Sequence, residues 1–433
     1  MEASNTLAKS HLHEVIFADR HYINKLNQLL AFISHLDKAP RLPTQNFFML
    51  IRPRGFGLSL SNESIEALLV RDELLMDHLD QSVADTIVSK GIGAYPVLHL
   101  SFNDIEPNIT GFDSFRAMLA TKLQSEFWQH HVKVRIDQGR RSDLRMLMVE
   151  LITELSERSG KSVVILIDNY DVPFFIVRTF DDPKEREQAL ALYFEMLNAF
   201  RQAGNKVKFG LLTGHVKFPL SSDMSLGLPH VIDLSFSDIA AALTGFTIEE
   251  IKTCYEEDLA RIAPQQGVTT SEYLTALEDC YGGFVFSDRM NKVLNPLSVT
   301  RALDNDGELY AYSCDNDYSF LQQCYKAQEP DLDWLIDKDG QDMLLLEDIS
   351  LTPQGKEFGS LLLQQGIVSV NKVTFAEQEH SLSWRYRFGF PNVEMRRVFN
   401  IITGKSRPEL RDLPINTRVY DAGEEEYAIK END

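Results

Sequence analysis

The sequence predicts an α/β domain built on a parallel sheet with flanking helices, followed by a mostly helical domain with a small β element near the C-terminus. Short apolar runs at 46–52, 95–102, 162–168, 206–213 and 230–235 alternate with longer segments of helical period. That is the pattern of strands buried on both faces and joined by crossover helices. After Thr244-Gly245-Phe246-Thr247 the alternation stops, and helical patterns dominate to about residue 365. The composition, 44% hydrophobic and 25% charged, is that of a globular chain, long enough to bury a core without staples.

Taken in order, residues 21–36 carry Ile23, Leu26, Leu29, Leu30 and Ile33 at helical spacing. A loop containing Pro40 and Pro43 separates this helix from the apolar run 46–52, a buried strand. A Gly-rich turn follows, then a helix through Ile65, Leu68, Leu69 and Leu74. The strand at 95–102 precedes helices near 112–129 and 142–158, and the sharpest strand, 162–168, ends in acidic and turn residues. A helix near 183–203 leads to strands at 206–213 and 230–235. Beyond the change of pattern, turns fall at Gly282-Gly283 and Asn295-Pro296, strands at 367–375 and 382–390, and a helix at about 393–402. The expected domains are 1–245, 246–405 and an acidic, solvated tail at 406–433.

Lys plus Arg number 43 and Asp plus Glu 64, a net charge of −21. This argues against a protein that coats itself with nucleic acid. The basic stretch from His130 to Arg145 reads as an exposed loop and helix start. The four cysteines form no C-x-x-C pair, so they read as buried thiols in a reducing compartment. The N-terminus lacks an apolar signal region, and no run approaches the roughly 20 apolar residues of a membrane span. A cytoplasmic location is expected.

Three segments fall at strand ends: Arg52-Pro53-Arg54-Gly55-Phe56-Gly57-Leu58-Ser59, Asp168-Asn169-Tyr170-Asp171 and Thr213-Gly214-His215-Val216-Lys217. Open α/β sheets bind ligands at the carboxyl ends of their strands. A Gly turn entering a helix suits phosphate, and a strand-end Asp suits Mg²⁺. A polar residue on a third strand can reach a γ-phosphate. This is the layout of a P-loop ATPase, with Gly55 and Gly57 in the phosphate turn, Asp168 as the strand-end acid and Thr213 on the third strand. Asp171 reads as a helix cap or loop anchor, Tyr281 and Phe284 to Phe286 as core aromatics, and His130-His131 as a surface pair.

The ordered wording of the chain resembles the prokaryotic AAA-ATPase-like family, whose members often carry a PD-(D/E)xK nuclease-like domain. The family pattern runs Y-V-D-K, R-P-R-R-F-G-K-S, V-I-H-L-D-F, L-I-D-E-Y-D-x-P, L-T-G-x-x-K-F, C-G-F-T, Y-x-G-Y-x-F, N-P-x-S and P-N-x-E-V-R. The matching segments here are Tyr22-Ile23-Asn24-Lys25, the turn from Arg52 to Ser59, Val97-Leu98-His99-Leu100-Ser101-Phe102 and Leu166-Ile167-Asp168-Asn169-Tyr170-Asp171-Val172-Pro173. They continue with Leu212-Thr213-Gly214-His215-Val216-Lys217-Phe218, Thr244-Gly245-Phe246-Thr247, Tyr281-Gly282-Gly283-Phe284-Val285-Phe286, Asn295-Pro296-Leu297-Ser298 and Pro391-Asn392-Val393-Glu394-Met395-Arg396. The resemblance implies an AAA-type P-loop fold with ATP and Mg²⁺ as cofactors, Ser59 and Asp168 being retained on the metal side and Thr213 and Lys217 at the nucleotide.

The departures fall on the chemistry. Leu58 stands where the family has its phosphate-gripping Lys, and Asn169 where it has the acid that activates water. Asn24 replaces an Asp. The stretch from Arg396 to Asp433 is too short for a nuclease core, so that domain is expected to be missing. The expectation is a pseudo-ATPase, a binding or regulatory module acting through a protein partner with nucleotide held weakly or not at all. The alternative is an active ATPase in which Arg52 or Arg54 replaces the missing lysine, since guanidinium reads phosphate well. The plainer reading is that both arginines point to solvent or pair with acids.

Overall fold

The computed structural model describes residues 12, 14, 23–38, 46–77, 85, 87, 93, 95–103, 105, 108–133, 143–222, 226–228, 230–328, 330, 341, 342, 358–378 and 381–404. Tyr22, the centre of the basic stretch at 134–142 and the acidic tail lie outside these residues. The described residues divide into two compact units. One holds the chain up to Arg52 together with 58–243, and the other holds 53–57 together with the chain from Thr244 onward.

The first unit begins with α1 (Leu26–Lys38), which buries Leu26, Leu29, Leu30, Ile33 and Leu36 along one stripe. It starts later than its apolar spacing predicts because the Asn24 side chain accepts from Leu26 N (2.8 Å) and fixes the first turn. The sheet strands are β1 (Phe47–Ile51), β2 (Val97–Ser101), β3 (Val163–Asp168), β4 (Val207–Gly214) and β5 (Val231–Asp233). Their order is β2-β3-β4-β1-β5, with every neighbouring pair parallel. All of β1 and β3 is buried, as expected of strands covered on both faces. The connecting helices are α2 (Leu58–Val70), α4 (Phe112–Gln129), α5 (Leu144–Ser159) and α7 (Pro183–Gln202), with the short α3 (Glu73–Asp77) and α6 (Val172–Arg178). The core joins α1, β1, α2, β3 and β4 through Leu30, Phe48, Leu50, Leu68, Leu166 and Leu211. Each such side chain contributes about 2 kcal/mol of burial.

β5 is shorter than the predicted 230–235. Asp233 Oδ1 accepts from Ser235 N (2.8 Å), a turn that ends the strand. Register sets Ser101 opposite Asp168, and Thr213 opposite Leu50. With Ile167 opposite Leu212, the strand ends bring Ser101, Asp168 and Thr213 into one row.

The second unit is helical, with α8 (Ile248–Cys254), α9 (Glu256–Gln265), α10 (Thr270–Tyr281), α11 (Pro296–Asp304), α12 (Ser319–Gln328) and α13 (Phe358–Gln364). An antiparallel pair follows, β6 (Ser369–Gln378) and β7 (Ser381–Gly389), and then α14 (Val393–Thr403). Capping boxes at Thr247/Glu250 and Thr269/Glu272 start α8 and α10. Asn295 caps α11, with Pro296 in its first turn.

Candidate functional site

The strand-end row of the first unit centres on Asp168, whose side chain is 1% exposed. Its Oδ1 accepts from Asn62 Nδ2 (2.9 Å) and Thr213 Oγ1 (3.0 Å), and its Oδ2 from Asn103 Nδ2 (2.8 Å). Asn62 Nδ2 also donates to Thr213 Oγ1 (2.6 Å). The second hydrogen of the Asn103 amide goes to Ser59 Oγ (3.2 Å), and its Oδ1 accepts from Asn169 Nδ2. Lys122 Nζ donates to the Asn103 carbonyl (3.1 Å). Asn169 has a positive φ of 53°, a conformation asparagine tolerates better than most residues. Asn62, Asn103 and Lys122 carry no recognised motif. The one available signal was that Ser59 and Asn62, three apart on α2, share a helix face.

Asp171 anchors the next loop. Its Oδ2 accepts from His215 N and Val216 N, each at 2.9 Å. Burial raises its carboxyl above the usual range, while His215 and the two backbone N–H groups pull it back. It makes no side-chain cap bond to α6, so of its two expected roles the structure gives it that of loop anchor. A Cβ on Gly214 would lie 2.7 Å from Asp171 Oδ1 and 3.0 Å from the Tyr170 ring. Gly214→Ala is therefore expected to cost about 1–3 kcal/mol, read as a lower midpoint in urea denaturation.

Elsewhere in the unit, His99 on β2 pairs with Glu66 of α2 at 2.7 Å. Burial alone would lower its pKa, but Glu66, together with the nearby Asp168 and Glu126 carboxylates, raises it. Lys217 forms an ion pair with Asp233 at 3.2 Å. Lys25 Nζ reaches the Ala242 carbonyl (3.3 Å), which gives the Tyr22-Ile23-Asn24-Lys25 segment a structural task.

Arg52 is corrected by the structure. It is fully buried, and its guanidinium donates to the carbonyls of Ile51 (2.8 Å), Ser235 (2.8 Å) and Ala240 (2.7 Å). Burial lowers its pKa to about 9, with Asp233 acting the other way, so it stays cationic at neutral pH. These bonds hold the guanidinium on backbone carbonyls inside the unit, against the expectation that Arg52 could take the place of a phosphate-binding lysine. Leu58, where the resemblance leads one to expect a lysine, is 4% exposed and belongs to the apolar core with Phe48, Leu50 and Leu68.

Residues 53–57 are counted with the second unit by their contacts. Gly55 and Gly57 have φ of 83° and 73°, in the left-handed region that favours glycine. Asn295 Nδ2 donates to the Arg54 carbonyl (3.2 Å), and Leu297 N to the Gly55 carbonyl (3.2 Å). A Cβ on Gly55 would come within 2.7 Å of Asn295 Oδ1. The Phe56 ring meets Phe284 and Phe286 edge-on at 4.9 and 5.4 Å. The Arg54 side chain is exposed. In the same unit Asn392 Nδ2 donates to the Gly282 carbonyl (2.7 Å). The Glu394 carboxylate, fully buried, accepts from Ser298 Oγ (3.0 Å) and Ser313 N (2.9 Å).

These features define a class: a five-stranded parallel α/β fold of P-loop type, with its polar residues gathered at the carboxyl ends of β2, β3 and β4. Residues 11–223 match the model of the AAA-ATPase-like family, described as a predicted AAA-ATPase. The chain is also 24% identical over 363 residues to an Azotobacter chroococcum mcd 1 protein described as "Uncharacterized protein in vnfD 5'region". That match covers 82% of this chain and 62% of the relative, so the chain spans less than two thirds of the relative's length. Among the described residues no helix is long and apolar enough to cross a membrane, and no group of His, Cys, Asp and Glu is arranged to hold a metal ion.

Proposed function

We propose that the chain is a degenerate AAA-ATPase, a binding or regulatory module that acts through a protein partner and not through turnover of ATP. One observation carries this reading: the position that should grip triphosphate with a cation holds Leu58, and that side chain is part of the apolar core. Loss of one such electrostatic group lowers rate by about 10²–10³. Asn169 in place of the acid removes the base as well. The net charge of −21 favours a basic partner surface. The alternative, turnover supported by an arginine, now rests on Arg54 alone.

The test is calorimetric titration of the full chain with Mg·ATP, paired with an assay of phosphate release. The expected result is weak or absent binding and no release above background. Release that Asp168→Ala abolishes would overturn the reading. Release that appears only in the Leu58→Lys/Asn169→Glu variant would locate the loss at those two positions and support it.

A further inference from the structure

We propose that Asp168 is the hub of a hydrogen-bond node that closes the strand ends without a divalent cation, and that this site binds no Mg²⁺. The inference concerns the same site as the proposed function but does not depend on nucleotide binding.

The first support is charge. The resemblance places acids at the positions held here by Ser101, Asp168 and Asn169, and only Asp168 is an acid in this chain. Ser101 lies opposite Asp168 in the sheet, and its Oγ accepts from Asn103 N (3.2 Å). A dication at this row would therefore meet one carboxylate, with the Lys122 ammonium bound to the adjoining loop.

The second support is the donor set. Mg²⁺ needs oxygen ligands at about 2.0–2.1 Å in near-octahedral geometry. Asp168 instead faces two amide groups and a hydroxyl, all directing hydrogens at its oxygens. The Asn103 amide bridges Ser59 and Asp168, the two side chains that would hold the ion. Its orientation follows from the network. Turned over, its oxygen would face the Asp168 carboxylate and its NH₂ would face that of Asn169. The residues present therefore do not fit the metal. Asn62 Oδ1 is a buried acceptor of the node that no protein group meets; with Asp168 it would give a dication only one charged and one neutral ligand, well short of an octahedral set.

The third support is connectivity. Asp168 closes β3, Thr213 lies near the end of β4, Asn62 is on α2, and Asn103 follows β2. One carboxylate thus ties four segments together. With acids at all three positions, the carboxylates would repel one another until the ion arrived.

The experiment uses the full chain and the metal alone. Mn²⁺ binding to the wild type is measured by electron paramagnetic resonance, and thermal melting is recorded in EDTA and in 10 mM Mg²⁺. The expected result is no Mn²⁺ binding that Asp168→Asn abolishes, and a melting temperature equal in the two buffers. A ligand held at a hundredfold its Kd would raise it by several degrees. In EDTA, Asp168→Asn is expected to melt several degrees below wild type. The Ser101→Asp/Asn103→Asp/Asn169→Glu variant is expected to gain Mg²⁺-dependent melting. Mn²⁺ binding by the wild type that Asp168→Asn removes would overturn the proposal. So would an Asp168→Asn variant as stable as wild type in EDTA. Should that variant fail to fold, the wild-type Mn²⁺ titration decides alone. Metal binding without phosphate release would sink this inference and leave the proposed function standing. Phosphate release by a chain indifferent to divalent cations would do the reverse.

Discussion

Arg52→Ala is expected to lower the melting temperature of the first unit by roughly 8–16 °C. The guanidinium satisfies three carbonyls, two of them on the segment after β5. Each charge-assisted bond contributes about 1.5–3 kcal/mol, and a buried acceptor left without its donor costs about 1–3 kcal/mol. Allowing for relaxation and entering water, the total is about 4 kcal/mol. Arg52→Lys, with one ammonium in place of the planar fork, cannot span all three acceptors and should fall between the two. Calorimetry of the full-length variants measures this. An arginine poised for phosphate would behave in the opposite way, its removal weakening ligand binding with little change in melting.

Glu394→Gln is expected to remove a pH dependence from the second unit. Burial lifts the Glu394 carboxyl to about 7, opposed by hydrogen bonds from Ser313 and Ser298 and by Arg301. The folded pKa lies above the unfolded value of 4.5. Between these values the folded state holds more protons than the unfolded state, so stability falls as pH rises. The drop is about 3 kcal/mol over that interval, and it is complete above about pH 7. Glutamine keeps the shape, accepts from Ser313 N and donates to Ser298 Oγ without titrating. Urea unfolding at pH 5 and pH 8 should therefore show the variant gaining about 2–3 kcal/mol on the wild type between the two. A difference that is constant with pH would show that the carboxyl does not titrate there.

The five strands of the parallel sheet were legible to within one or two residues because burial on both faces makes them continuous apolar runs, as at Val163–Asp168; the later strand expected at 367–375 runs instead over Ser369–Gln378. The short α6 was not, since its residues from Val172 to Val177 are apolar without interruption and offer no helical period. The pairing of Asp168 with Thr213 could be anticipated from strand ends alone. The amides that complete the node could not, because Asn62 and Asn103 lie on a helix and a loop with no charge or motif to single them out. Arg52 was misread for a different reason. Its acceptors at Ser235 and Ala240 lie 183 and 188 residues further on, a distance over which sequence pattern says nothing. The late segments around Tyr281 and Asn295 read in the sequence as core aromatics and a turn, and the segment at Pro391 as the start of a helix. Their physical content is a set of helix caps and ring contacts around Gly55, Phe56 and Glu394.

The bond from Asn295 to the Arg54 carbonyl joins positions 241 residues apart. Cutting the gene at the boundary after Leu243 would yield an N-terminal fragment whose glycine loop has lost this clasp and both aromatic neighbours of Phe56. Such an excised piece would present a loop of altered shape, and nucleotide assays run on it would describe the surgery instead of the protein.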